Sequence, residues 1–170
     1  ESYEPGKEAF TRAKDLDMKN QSRYAELAQF EAQNGNISEA ITLAQQAMSL
    51  KSNYSDGLFL LSQLHVANND VASAIASTGA MITIEPQNPL RYYQLGVLEM
   101  SRQNYSVAAQ ALEQAIARDQ NYANARYFLA ISYSELNRPD DARAQLERVL
   151  ELNPGNADVT ALLSQLNETG

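Results

Sequence analysis

No cysteine occurs in this sequence, and histidine occurs once. The first absence excludes a disulfide framework and a thiolate metal site, and it suits cytosol and a cell envelope equally. Basic residues are also few: 13 Lys and Arg stand against 21 Asp and Glu, a formal net charge of -8. Nucleic-acid affinity rests largely on Lys and Arg neutralising phosphates, so no nucleic-acid partner is expected. The segment has no apolar run of 18 residues and no charged start leading into an apolar core. Neither a membrane span nor a signal peptide is therefore read in it, and no direct insertion into a membrane is expected. No Gly-rich phosphate loop or metal-ligand cluster occurs, and Ser62 near His65 lacks a motif for nucleophilic work. The reading is no enzyme, no cofactor and no metal, with His65 a core or boundary side chain.

What the sequence does have is a period. Leucine stands at 27, 61, 95, 129 and 163, and alanine at 40, 74, 108 and 142, so two columns recur every 34 positions. A fixed period of that length with helical apolar spacing inside each unit predicts a solenoid of helix-turn-helix repeats, each burying its apolar face by stacking on its neighbours. In the first half of each unit Tyr24, Leu27 and Ala28 recur as Leu58, Leu61 and Ser62, as Tyr92, Leu95 and Gly96, and less completely as Leu129, Ala130 and Tyr133. In the second half Ala40, Ala44 and Ala47 recur as Ala74, Thr78 and Met81, as Ala108, Leu112 and Ala115, and as Ala142, Leu146 and Val149. Spacings of three, four and seven place each set on one helical face, and side chains as small as alanine let helix backbones approach closely.

Punctuation agrees with the period. Asn34-Gly35-Asn36 and Asn68-Asn69-Asp70 supply turn chemistry within units, and Pro86, Pro89 and Pro154 mark the joints between them. Pro139 suits a first helical turn, where Asp140 and Asp141 complement the positive helix end and need no catalytic explanation. Four units are expected at 21–54, 55–88, 89–122 and 123–156. A truncated half repeat, a second helix only, precedes them at 1–20, and a capping helix with Val159, Leu162, Leu163 and Leu166 on one side follows at 157–170. The expectation is a piece of a longer protein that starts inside a repeat. Its half repeat, with Phe10, Ala13 and Leu16, is the expected place of self-association into a homo-oligomer. Ser77, Thr78 and Gly79 inside one second helix mark the expected soft point.

These columns resemble the tetratricopeptide repeat family, best at Tyr92, Leu95, Gly96, Tyr105, Ala108, Leu112 and Ala115, with Pro86 and Pro154 at the closing proline. The departures are Glu31, His65 and Glu99 where the family prefers an aromatic, Arg126 and Thr160 at the first aromatic column, and Ser52 and Gln120 at the closing proline. The resemblance implies an all-α, right-handed α-solenoid of antiparallel helix pairs, about ten helices in all, acting as a protein-binding scaffold. A second resemblance joins NYSDGLFLLSQL, NPLRYYQLGVL, NYANARYFLAISYSEL and LNPGNADV to the repeat tails of bacterial O-antigen-ligase-type membrane proteins. It implies a bacterial source, in cytoplasm or envelope, and an accessory domain beside a glycan polymerase or ligase.

The candidate site is a face opposite the core stripe. Residues two before and two after the core leucine point nearly the other way at 100° per residue. They gather Phe59, Tyr93 and Tyr127 in one column and Gln63, Val97 and Ile131 in another, with Leu90 and Met100 extending the face. The resemblance places such first helices on the concave surface, which becomes an apolar, aromatic-lined groove for a peptide or protein segment. The alternative is that these rings only pack against the next unit, leaving a self-assembly or domain-positioning module. Some family members hold a partner's C-terminal carboxylates with Lys, Asn and Arg on successive first helices. Here those places carry Ala25, Gln29, Leu60, Leu90 and Gln94 or, one unit later, Phe59, Gln63, Gln94, Asn124 and Phe128, so that clamp is absent.

Overall fold

The computed structural model describes residues 3–168. Positions 1, 2, 169 and 170, the outer ends of the expected half repeat and capping segment, lie outside the described residues. The described residues form ten α-helices and no strand: α1 (Tyr3–Leu16), α2 (Gln21–Gln33), α3 (Ile37–Leu50), α4 (Ser55–Ala67), α5 (Val71–Ile84), α6 (Pro89–Ser101), α7 (Tyr105–Arg118), α8 (Ala123–Glu135), α9 (Pro139–Leu152) and α10 (Ala157–Glu168). The chain is an all-α solenoid of helix pairs. It divides into two compact units, residues 1–84 with α1 to α5 and residues 85–170 with α6 to α10.

Each pair turns in the same way. Gly35, Asn69, Gln103 and Asn137 hold positive φ between α2 and α3, α4 and α5, α6 and α7, and α8 and α9. The next residue in each case, Asn36, Asp70, Asn104 or Arg138, donates its backbone N–H five residues back, to Glu31, His65, Glu99 or Tyr133, over 2.8 to 3.0 Å. This is the Schellman closure, which satisfies carbonyls that a helix C-terminus leaves open. The Asn-Gly and Asn-Asn turns are legible in the sequence. The Gln103 turn is not, because glutamine has no special ease at positive φ and is held there by its neighbours.

The second-helix stripe is the core. Ala40, Ala74, Ala108 and Ala142 are fully buried, as are Ala44, Thr78, Leu112 and Leu146 at the column one turn on. In the first unit α2, α3 and α4 meet around Leu27, Leu43, Leu60, Leu61 and Leu64. In the second, α7 to α10 meet around Leu112, Leu129, Leu146, Val149, Val159 and Leu166. Full burial of one such aliphatic side chain contributes about 1.5–3 kcal/mol. Leu27, Leu61 and Leu129 are buried, whereas Leu95, on the first helix of the second unit, is only half-buried. Its neighbour Gly96 is the tight contact instead: a Cβ there would stand 2.6 Å from Leu112 Cγ and 3.3 Å from the Ala108 carbonyl oxygen. On α10, Val159 and Leu166 are buried and Leu162 and Leu163 half-buried.

Helix α1 is less open than its sequence suggests. Phe10 packs on Phe30 of α2 at 5.1 Å with its ring tilted, Tyr3 lies parallel to the same ring at 5.7 Å, and Lys14 sits over Tyr24. What α1 leaves outside is mostly charged, a shallow cleft along Glu4, Lys7, Glu8, Arg12 and Asp15. Its main exposed apolar groups are Leu16 at 81% and, just beyond the helix, Met18 at 61%.

Candidate functional site

The three departures from the aromatic column prove to be one recurring device. Glu31 is 1% exposed and its Oε2 accepts from the Tyr3 hydroxyl and the Asn36 amide, both at 2.7 Å. Its Oε1 makes no hydrogen bond but lies 3.3 Å from the Lys7 ammonium. Burial pushes this carboxyl up, yet the hydrogen bonds from Tyr3 and Asn36 and the Lys7 charge prevail and hold it below the usual range. Lys7 is raised in turn, first by its bond to Tyr3 and then by Glu31.

The same column and its partner five residues on repeat in every pair. Glu99 accepts from the Asn104 amide at 2.8 Å, His65 Nδ1 stands 3.7 Å from Asp70 Oδ2, and the Arg138 guanidinium covers the Tyr133 ring at 4.2 Å. Glutamate meets asparagine, histidine meets aspartate and tyrosine meets arginine. Tyr133 also donates to Glu113 on α7 at 2.7 Å, and burial followed by that bond pushes its hydroxyl up to about 12. His65 is thus a half-buried side chain at a helix turn. Among the described residues no group of three or more His, Cys, Asp and Glu side chains could hold a metal ion. These pairs fix turns and leave no reacting group poised against another.

A second exchange occurs at the first aromatic column. The Tyr92 hydroxyl donates to the Pro86 carbonyl, six residues back, at 3.1 Å. Arg126, at the same column one unit later, donates to the Gln120 carbonyl, also six residues back, at 2.7 and 3.0 Å, and to Gln145. Arginine there does the tyrosine's work of satisfying the inter-pair loop. Only the paired columns read together, not either residue alone, would have shown this in sequence.

The predicted partner face falls on both units, and each part stands by itself. In the first unit Phe59 is half-buried on α4, and Gln63 is exposed at a shallow cleft with Gln29, Gln33, Leu60 and Leu64. In the second unit the rings are drawn together. Tyr93 of α6 contacts Tyr122 at 5.2 Å and Phe128 at 5.8 Å, and Phe128 meets Tyr127 edge-on at 5.6 Å. Tyr93, Met100 and Tyr127 pack against the buried core of that unit, while Val97 and Ile131 are half-buried outside that layer and Leu90 is 40% exposed. Sequence reasoning missed Tyr122 and Phe128, which brace Tyr93, since neither shares a column with it. Partial burial raises the hydroxyls of Tyr93 and Tyr122 above the ordinary tyrosine value.

The helices, the turn closure and the buried alanine columns find their counterpart among known proteins. The sequence profile described as tetratricopeptide repeat matches residues 99–166. Over those residues the chain is similar to tetratricopeptide repeats. Its fold is similar to the crystal structure of MamA, with a TM-score of 0.80 at 18% identity over 92% of this chain and 91% of that one. It is similar to YrrB, described as a TPR protein with an unusual peptide-binding site, with a TM-score of 0.78 at 20% identity over 96% and 84% of the two chains. The first TPR of Spaghetti (RPAP3), bound to the HSP90 peptide SRMEEVD, superposes with a TM-score of 0.63 at 21% identity over 68% of this chain and 94% of that one. No curated protein sequence matches the chain. The likeness to O-antigen-ligase tails gains no support from these comparisons, and among the described residues no helix is long and apolar enough to cross a membrane. Of the departures from that family's pattern, Glu31, Glu99 and Arg126 each meet a hydrogen-bonding partner, whereas His65 Nδ1, 3.7 Å from Asp70, makes no hydrogen bond.

Proposed function

We propose that this chain is a non-enzymatic interaction scaffold whose first-helix faces, Leu90, Tyr93, Val97, Met100, Tyr127 and Ile131 in the second unit and Phe59 and Gln63 in the first, capture a peptide or protein segment. The observation that carries the reading is the α6–α8 face, where braced rings adjoin Val97, Ile131 and an exposed Leu90. A surface helix is expected to be polar opposite its core stripe, and these two are not. Similar folds in YrrB and RPAP3, both described with peptides, support it. If a segment covers about 100 Å² of each of three rings, the gross gain is about 7 kcal/mol at about 25 cal/mol/Å². Association costs on the order of 4–15 kcal/mol, so micromolar or weaker binding is the expectation.

The test separates binding from packing. Val97→Ser with Ile131→Ser should weaken capture of a peptide from a displayed library while leaving the melting temperature close to wild type. Leu129→Ala, in the core, should lower it sharply. A melting temperature reduced by the serine pair as much as by Leu129→Ala would overturn the groove. A second reading, self-association through α1, is favoured by the exposure of Leu16 and Met18.

A further inference from the structure

One cleft on the second unit gathers hydrogen-bond acceptors and no cation. It lies where the first turns of α8 and α10 meet the end of α9 and has a volume of about 160 Å³. The buried Val149 and Val159 form the apolar part of its lining, and Asn124, Tyr127, Asn153, Asn156 and Asp158 the polar part. No basic residue lines it. Among the described residues the side chains of Asn124, Asn153 and Asp158 and the Tyr127 hydroxyl bond to no protein group, while the Asn156 side chain accepts from the Val159 N–H at 3.2 Å. An acidic residue in the first turn of α10 complements the helix dipole. That accounts for Asp158 but not for the amides gathered around it.

The cleft continues the partner face. Leu90, Asn124 and Asp158 are the second residues of α6, α8 and α10, at intervals of 34, so the column that begins with an exposed leucine ends in a carboxylate. Tyr127 belongs to both places, since it lines the cleft and meets Phe128, which in turn meets Tyr93. The charge around these rings is negative. Residues 85–170 carry eleven Asp and Glu, seven Arg and no Lys. Arg91 is bound to Glu85, Arg126 to Gln120 and Gln145, and Arg148 to Glu151 and Asn121. Asp119 adds a further carboxylate whose charge acts on Tyr122 and is partly answered by Arg126. An apolar face that runs into an unpaired carboxylate is complementary to a segment bearing a positive charge beside an apolar side chain.

We infer that this face takes a segment whose lysine ammonium enters the cleft at Asp158 while an apolar neighbour lies on Tyr93 and Tyr127, an inference that rests on the interaction reading above. An ammonium group has three donors and no acceptor, which matches one carboxylate set among amide and hydroxyl oxygens. Its donors point to several sides. Oxygens scattered round a narrow cleft therefore suit it better than they suit the flat guanidinium fork. The lysine stem lies along Val149, Val159 and the Tyr127 ring and leaves the charged head at the wet mouth of the cleft. An acidic segment such as SRMEEVD, bound by the similar repeat of RPAP3, would meet like charge at Asp158.

The experiment titrates the whole chain with three capped peptides that share one apolar frame and differ only in a central lysine, norleucine or glutamate. Amide NMR shifts are followed at Asn124, Tyr127 and Val159. The lysine peptide should move these signals saturably and bind about fivefold tighter than the norleucine peptide, the upper range for an exposed ion pair, with glutamate weakest. That advantage should shrink as salt is raised. Asp158→Asn should bring the lysine peptide down to the affinity of the norleucine peptide, leave the latter unchanged and keep the melting temperature close to wild type. If the norleucine or glutamate peptide binds wild type as tightly as the lysine peptide, the lysine assignment is overturned while the groove stands, and no variant is needed to see it. A lysine advantage that persists in Asp158→Asn overturns the cleft as the place where the charge is read. If no peptide moves these signals, the groove reading falls with it.

Discussion

Two glycines in helix interiors face opposite fates on gaining a methyl group. At Gly79 on α5 an added Cβ meets nothing within 4 Å. Alanine is favoured over glycine in a helix by about 1 kcal/mol, so Gly79→Ala should raise the unfolding free energy by about that much. At Gly96 the same atom would stand 2.6 Å from Leu112, a side chain with no exposure and so no room to retreat. Gly96→Ala should therefore destabilise despite its better propensity, by about 1–3 kcal/mol as overpacking typically costs. Urea unfolding of the two variants checks both signs, and the same sign for both would refute the packing of α6 on α7.

At the scale of the element, α1 is held to α2 by aromatic stacking and by a buried carboxylate. The folded Glu31 carboxyl lies below its unfolded value of about 4.3. Its contribution is therefore present above that value and fades as pH falls through the lowered folded one. Amide protection factors in α1, referred to the intrinsic exchange rate at each pH, should fall on acidification below about pH 4 before those in α3 do, and Glu31→Gln should lower them already at neutral pH. An acid response in α1 unchanged by Glu31→Gln would remove this carboxylate as its cause. The helix α5 is the other element expected to be weak. Thr78 is fully buried and spends its hydroxyl on the Ala74 carbonyl and Ser62, where Leu112 and Leu146 fill the same column with apolar volume. Exchange should be faster across Ala72–Ile84 than across Val107–Ala117, and equal or slower exchange in α5 would contradict this.

For the molecule as a whole, the exposed apolar groups of the α1 end set the association test. Phe10 is committed to Phe30, so its replacement would unfold α1 and say little about contact between copies. Leu16→Asp with Met18→Lys removes exposed apolar area without touching that packing. Light scattering at high concentration should show a mass that falls to the monomer in the double variant. An identical mass in wild type and variant would exclude this end as the contact. Acidic net charge makes the same measurement salt-dependent, with association strengthening as repulsion between copies is screened.

The period of 34, the alanine and leucine columns and the turn residues already determine helix pairs, because helical spacing and turn chemistry are local and the stacking partner of each column is another copy of the same column. The first residues of α2, α4, α6 and α8 duly fall 34 apart, at Gln21, Ser55, Pro89 and Ala123. Columns also pointed to Tyr93, Tyr127, Val97 and Ile131 as residues opposite the core. They could not say that Tyr93 is braced by Tyr122 and Phe128, that Glu31 is the buried partner of Tyr3 and Lys7, or that Arg126 stands in for a tyrosine. Those contacts join residues from different helices and different columns. Whether a polar residue in an apolar column is a defect or half of a pair depends on which side chain arrives opposite it, and only tertiary packing decides that.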